Sequence, residues 1–130
     1  WIHRDPLDAI LSYCPMIDNS WEFFRGETSK IEVSNYIINL YKKMLKKAID
    51  DRKMLNTCFY DVRYKDLIQE RENLIGNLKD DFKCYPQDEK PKKTSFYMNK
   101  HKFDASEYQI SEQKIKDEFS FYYDEYDVYL

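Results

Sequence analysis

The sequence predicts an α/β fold in which helices flank a parallel sheet. Two segments with strand character, residues 1–3 and 56–64, are each followed by a segment with helical periodicity. Alternation of strands and helices is the pattern of parallel sheets covered by helices. The chain has 130 residues and only 2 glycines. That length suits one domain, and the scarcity of glycine favours helices with ordinary connections.

The first predicted strand and helix adjoin in the stretch "WIHRDPLDAILSYCP". Asp5 suits the N-cap and Pro6 the first helical position, where its missing N–H removes no hydrogen bond. Apolar residues then recur at helical spacing as far as Cys14, and Pro15 is expected to end the helix. Residues 16–30 show no clear period and are predicted to form a loop with an aromatic cluster.

The middle of the chain predicts a long helix, a strand and a second helix. The long helix extends from Ser34 to Arg52, with one apolar face, which includes Met44, and four lysines on much of the opposite side. Those lysines are Lys42, Lys43, Lys46 and Lys47. Residues Asn56–Tyr64 are rich in β-branched and aromatic side chains and predict a strand. Asp66 is expected to cap the next helix, which extends to Phe82.

The C-terminal part predicts a connector and one more helix. Residues 84–102 are polar, basic and interrupted by proline, and we expect a mobile connector. The last helix begins near Ser111, where Ile110 and Ile115 have the spacing of a hydrophobic staple. Because two strands do not make a covered parallel sheet alone, further strands are expected upstream of Trp1. The chain is therefore expected to be a fragment of a larger protein.

Composition excludes several classes of function. The formal net charge of −3 argues against general nucleic-acid binding, which depends on a basic surface. No apolar run approaches the ~18–20 residues that cross a membrane. Cys14, Cys58 and Cys84 are odd in number and form no CxxC pair, which predicts reduced thiols and neither a disulfide framework nor a zinc site. We therefore expect no metal, and a cytoplasmic location.

Three residues have the chemistry of a nucleotide site. Arg4 lies between a predicted strand and a predicted helix N-terminus, where anions bind, and its planar cation suits phosphate. Ser12 lies two turns into that helix and could donate its hydroxyl to the same phosphate. Tyr64 ends the second predicted strand, where open α/β sheets bind ligands. Two simpler readings stay open: "RDP" is also a common helix start, and Tyr64 also suits a core.

Taken together, these stretches resemble the C-terminal half of the sulfotransferase family that uses 3′-phosphoadenosine 5′-phosphosulfate. In that family a strand ends in Arg-Asp/Asn-Pro and a serine follows the arginine by eight residues, as Ser12 follows Arg4. The segment "YKDL" (Tyr64–Leu67) is similar to the family's Tyr-Glu-Asp-Leu, with Lys65 in place of the acid. The stretch "HKFDASEYQISEQKIKDEFSFYY" is similar in layout to the family's C-terminal helix and the residues before it.

The resemblance implies a fold, a function and site residues. It implies a P-loop-like three-layer α/β fold, with 1–130 forming the C-terminal portion of a single sulfotransferase domain. Arg4 and Ser12 would bind the 3′-phosphate, and Tyr64 would lie near the adenine. The enzyme would transfer a sulfuryl group from 3′-phosphoadenosine 5′-phosphosulfate to a hydroxyl or amine. The phosphosulfate loop and the usual general base lie upstream in the family, so the catalytic residue is unknown and this part alone is expected to be inactive.

The implied partner is a small-molecule, glycan or peptide acceptor, with no nucleic acid and no membrane contact in this segment. A homodimer is left open, and so is the Golgi lumen if an anchor lies upstream. Two alternative functions are a small-molecule kinase of related fold, and a non-enzymatic module that binds a partner through its lysine-rich helix and tyrosine-rich tail. His3 and His101 are given no catalytic role, and the connector lysines Lys90, Lys92 and Lys93 are expected to be solvated.

Overall fold

The computed structural model describes residues 1–82 and 105–130. The elements are β1 (Ile2–His3), α1 (Pro6–Arg25), α2 (Lys30–Met54), β2 (Val62–Arg63), α3 (Tyr64–Gln69), α4 (Arg71–Phe82), α5 (Glu112–Glu118), α6 (Ser120–Tyr126) and a 3₁₀ turn, Asp127–Tyr129. The predicted connector, residues 84–102, lies outside the described residues, and so does His101.

The fold is mostly helical, which corrects the predicted three-layer α/β architecture. Helices account for 74% of the described residues. The sheet found in that part of the chain has two strands, in which Ile2 pairs with Val62 and His3 with Arg63 in parallel register. Residues 1–3 were predicted as a strand, and β1 confirms this. The strand predicted over Asn56–Tyr64 was too long, because β1 offers only two residues to pair with.

Helix α1 corrects the predicted boundary at Pro15. It begins as predicted, with Asp5 as N-cap and Pro6 at the first position, but continues through Pro15 to Arg25. The predicted loop over 16–30 is therefore wrong for its first ten residues. Ile17 and Trp21 extend the helical spacing of the preceding apolar residues and pack against the core. This packing outweighs the ~3 kcal/mol cost of an interior proline.

The turn between α1 and α2 contains two signals that give the true boundaries. Gly26 follows α1 with φ of 86°, a left-handed conformation that glycine adopts without strain. Ser29 caps α2, and its hydroxyl accepts a hydrogen bond from the Glu32 N–H at 3.5 Å. Ser29 and Glu32 have the spacing of a capping box, so α2 begins four residues before the predicted Ser34.

The residues after β2 also differ from prediction. Tyr64 is not the last residue of a strand but the first of α3, and Arg63 takes the N-cap position. Asp66 lies in the first turn, where its carboxylate accepts a hydrogen bond from Arg63 Nε at 2.7 Å. Asp66 therefore pairs with the N-cap residue, Arg63, and does not itself cap the helix.

The C-terminal helices follow the prediction closely. Ser111 caps α5, and its hydroxyl accepts from the Lys114 N–H at 3.1 Å. Ile110 and Ile115 are both buried. The predicted single helix is interrupted at Phe119, which is fully buried with φ of −115° and separates α5 from α6.

One apolar core joins α1, α2 and the C-terminal helices. Its members are Ile10, Cys14, Val33, Ile37, Ile38, Leu45, Ile49, Tyr108, Ile110, Ile115, Phe119, Tyr122 and Tyr126. Met44, predicted on the inner face of α2, is instead 55% exposed. Because α1 and α2 form the crossover between the parallel strands, this core fixes where both strands end.

Candidate functional site

Both strands end at the same edge of the sheet, and each delivers one predicted site residue there. Arg4 follows β1 and Tyr64 follows β2. The guanidinium carbon of Arg4 lies 4.8 Å from the centre of the Tyr64 ring, which is a cation–π contact. The parallel register therefore brings together two residues that are 60 positions apart in the sequence.

Arg4 has hydrogen-bonding capacity left over. One of its terminal nitrogens donates to the Asp8 carbonyl oxygen at 3.0 Å, so the side chain runs along the first turn of α1. Its Nε is buried and has no hydrogen-bond partner in the described parts of the chain. A buried polar atom without a partner is rare in folded proteins and is commonly satisfied by a water or a ligand.

The N-terminus of α1 is held by its cap. An Asp5 carboxylate oxygen accepts from the Leu7 N–H at 2.7 Å and from the Tyr123 hydroxyl at 3.1 Å. Burial, together with the Asp5 charge, raises the pKa of Tyr123. Tyr123 therefore remains a neutral donor and ties the start of α1 to α6. Asp5 accordingly has a structural role, as the sequence predicted for the cap.

Ser12 lies on α1 and is half-buried. It follows Asp8 by four residues, so it lies one turn further along the same face of the helix. Arg4 donates to the Asp8 carbonyl oxygen, and an α-helix directs that oxygen towards the N–H of Ser12, so Arg4 and Ser12 approach the same turn of α1. Ser12 does not line the cavity described next.

A small cavity lies at the strand ends, with a volume of about 20 Å³. Its walls include Arg4, Asp8, Tyr64, Lys65, Tyr129 and Leu130. This volume suits one water molecule, so a phosphate enters only if the side chains at its mouth move. Lys65 Nζ donates to the Leu130 carbonyl oxygen at 3.3 Å, a contact on the surface that closes one side of the cavity.

A buried polar network lies beside this cavity. His3 is fully buried, with Nε2 at 2.8 Å from an Asp61 carboxylate oxygen and Nδ1 at 2.8 Å from the Tyr122 hydroxyl. Burial lowers the pKa of His3, so the ring is neutral near pH 7. Asp61 is ionised and only accepts, so Nε2 carries the proton. Nδ1 then accepts from the Tyr122 hydroxyl.

Asp61 is the charged centre of this network. Arg52 donates to its two carboxylate oxygens at 2.5 and 2.6 Å. This pairing, more than the bond from His3, lowers the pKa of Asp61 to about 2. The Arg52 guanidinium also lies 4.7 Å from the centre of the Phe59 ring. The network joins β1, α2, the segment before β2, and α6, and its burial makes it a structural element.

Sequence reasoning missed Asp61 and Arg52. Asp61 directly precedes β2, and Arg52 lies near the end of α2. A signal was present, because a histidine in an inward-facing strand position needs a polar partner, and the adjoining strand begins beside an aspartate. Which cation would balance that aspartate depends on how α2 packs, and the sequence does not give that packing.

A larger groove, of about 290 Å³, is lined by β2, α3 and α4. Its polar lining includes Asp66, Asn73 and Asn77, together with Glu70 between the two helices. Arg4 and Tyr64 do not line it. We place the candidate site in the smaller cavity because the buried unpaired nitrogen and the convergence of both strand ends occur there.

No helix within 1–82 and 105–130 is long and apolar enough to cross a membrane. Within the same ranges, no group of three or more histidine, cysteine, aspartate or glutamate side chains is placed to hold a metal ion.

Comparisons with protein-family models, with curated proteins and with solved structures gave no significant match.

Proposed function

We propose that this chain forms the 3′-phosphate and adenine side of the nucleotide site of a sulfotransferase. One observation carries the proposal: Arg4 and Tyr64 meet where two parallel strands end, with a buried arginine nitrogen unpaired. The N-terminus of a 20-residue helix, α1, begins at the same place. An arginine fork and a helix N-terminus together favour a phosphate group.

Each residue has a separate role in the proposed site. Arg4 binds the 3′-phosphate through the Nε and terminal N–H groups that its bond to Asp8 leaves free. Ser12 lies on the same face of α1, at the turn that Arg4 reaches, and donates its hydroxyl to the same phosphate. Tyr64 holds the guanidinium plane against its ring and lies beside the base. Loss of the Lys65–Leu130 contact opens the cavity, and a single exposed hydrogen bond is a small cost.

In the proposed reaction a sulfuryl group passes from the phosphosulfate of the nucleotide to a hydroxyl or amine. The acceptor loses a proton, and adenosine 3′,5′-bisphosphate is the leaving group. The residues named here contribute to the reaction by binding and orienting the nucleotide. We assign none of them to proton transfer.

The rival interaction module finds less support. Tyr122 and Tyr126 of the tyrosine-rich tail are buried in the core. Two of the lysines on α2 form ion pairs within the molecule. Lys42 pairs with Glu118, and the Lys47 Nζ lies 2.8 Å from a carboxylate oxygen of Asp51. These features are engaged within the molecule and present less free surface than the sequence pattern indicates.

The test compares ligand affinities by isothermal titration calorimetry. The wild-type chain should bind adenosine 3′,5′-bisphosphate at least tenfold more tightly than adenosine 5′-monophosphate, which lacks the 3′-phosphate. Arg4→Gln should remove this preference, because a charge-assisted hydrogen bond to phosphate contributes roughly 1.5–3 kcal/mol. Arg4→Lys should restore it only in part, since lysine keeps the charge and loses the planar fork.

The matched control is Arg25→Gln, at the far end of the same helix. Arg25 also lies over an aromatic ring, with its guanidinium carbon 4.3 Å from the centre of the Trp21 ring. This variant should bind both ligands as the wild type does. Equal wild-type affinities for the two nucleotides would overturn the proposal, and tighter binding of ATP with magnesium would favour the kinase alternative.

A further inference from the structure

Lys65 provides a second positive charge at the Arg4 cavity. It follows Tyr64 directly and lines the same cavity as Arg4. In the family that the chain resembles, this position carries a carboxylate. The sequence difference therefore falls on a residue at the mouth of the site, where its charge acts on any bound anion.

The charge balance of the cavity depends on Lys65. Its other charged wall residues are Arg4, Asp5 and Asp8. Without Lys65 the two carboxylates outweigh the one guanidinium, and an acid at position 65 would make the excess of negative charge larger still. With lysine the formal charges of the wall side chains cancel. A highly charged anion then meets no net repulsion from these side chains.

The Lys65 ammonium group is available to a ligand. Lys65 is exposed, in the first turn of α3. Its described hydrogen bond is the one to the Leu130 carbonyl oxygen, at 3.3 Å. A lysine on the surface turns between partners at little cost, and a charge-assisted bond to phosphate is stronger than a long contact at 3.3 Å. Opening of the cavity thus frees the cation that the incoming phosphate needs.

We propose that Lys65 is a specificity-determining residue that makes this site select a phosphate monoester dianion over a singly charged phosphodiester. The proposal rests on the proposed nucleotide site and deepens it. Arg4 provides the two-pronged contact that either group accepts, and Lys65 responds to the second negative charge. A terminal monoester phosphate has its second pKa near 6, so it is mainly a dianion at pH 7.5.

The test uses 2′-deoxyadenosine 3′-monophosphate and its 3′-phosphate methyl ester at pH 7.5 and low salt. The two ligands differ by one charge and one methyl group. The wild-type chain should prefer the monoester about fivefold, Lys65→Gln should reduce that ratio to near one, and Lys65→Glu should reverse it. Lys43→Gln, which removes an exposed lysine outside the cavity, is the control and should keep the wild-type ratio.

The outcomes separate the two proposals. If the wild type binds neither ligand more tightly than 2′-deoxyadenosine, the nucleotide site itself is wrong. If the wild type binds both and Arg4→Gln abolishes binding, yet Lys65→Gln keeps the full preference for the monoester, the nucleotide site stands and the role of Lys65 is overturned. Circular dichroism of each variant confirms that it is folded, which an exposed position such as Lys65 should allow.

Discussion

Replacing Asp61 by asparagine removes the charge that joins β1, α2 and the segment before β2. Asparagine has the same shape but only one acceptor oxygen. In either orientation its amide donor faces an N–H group, because Arg52 and His3 both donate to Asp61. The Asp61 side chain is only 12% exposed, so water cannot fully relieve this conflict.

The size of the effect follows from the geometry. Asp61 has its pKa lowered from 3.8 to about 2. At 1.36 kcal/mol per pKa unit, this difference represents roughly 2 kcal/mol in favour of the ionised folded state. Removing one partner of a buried pair costs about 3–5 kcal/mol, and partial exposure lowers that figure. We therefore expect Asp61→Asn to lower the free energy of unfolding by about 2–4 kcal/mol.

Urea unfolding followed by circular dichroism at pH 7 measures this directly. Asp51→Asn is the control, because Asp51 pairs with Lys47 on the surface, where the lysine side chain is 75% exposed. Exposed pairs of this kind contribute about 0.3–0.5 kcal/mol. If Asp61→Asn came within 1 kcal/mol of Asp51→Asn, the network would not hold these elements together.

Two further predictions concern protons and thiols. Burial lowers the pKa of His3 below 6.5, so the unfolded chain binds the proton more readily than the folded chain does. The contribution of His3 to the free energy of unfolding is therefore complete above pH 6.5 and falls as the pH drops towards 5. His3→Gln should flatten that part of the pH profile in urea unfolding, and an unchanged profile would contradict the assignment. In a Cys84→Ser background, iodoacetamide at pH 8 should label the exposed Cys58 and spare Cys14, which is buried with a pKa raised to about 11. Mass spectrometry identifies which thiol is modified. Equal labelling of Cys14 and Cys58 would contradict the burial of Cys14 on α1.

Local signals predicted the starts of α1 and α5 well, although those of α2 and α3 differ from prediction. The Asp5–Pro6 start of α1 and the Ser111 cap of α5 each rest on chemistry within a few residues. The buried faces of α2 and the C-terminal helices followed from apolar spacing, apart from Met44. These features depend on neighbours along the chain, which the sequence displays.

Features set by tertiary contacts escaped prediction. Pro15 does not end α1, because the core holds the helix on both sides of it. The strand predicted over 56–64 has only two residues in the structure, because β1 offers only two residues to pair with. A high β-propensity leads to a strand only where a partner strand is present. The three-layer fold was an inference from alternation, and the described residues form a helical domain around a two-stranded sheet.

The candidate site also combines residues that local sequence predicted with residues that only tertiary contacts reveal. Arg4 and Tyr64 were named from sequence position, and the structure brings them into contact. Lys65 was noticed only as a departure from a motif, and its place in the Arg4 cavity came from the structure. The Arg52–Asp61–His3 network needed the packing of α2 against both strands. Residues close in sequence to a strand end were predictable, and partners from distant elements were not.

The most direct test of the account is an NMR titration of the ¹⁵N-labelled chain with adenosine 3′,5′-bisphosphate. The account predicts saturable shifts of the backbone amides of Arg4, Asp8, Ser12, Tyr64 and Lys65, with the largest at Arg4 and Lys65. Adenosine 5′-monophosphate should move those amides much less. Shifts that concentrate on the groove beside α4, or no saturable shift at all, would contradict the claim that the strand ends form a 3′-phosphate site.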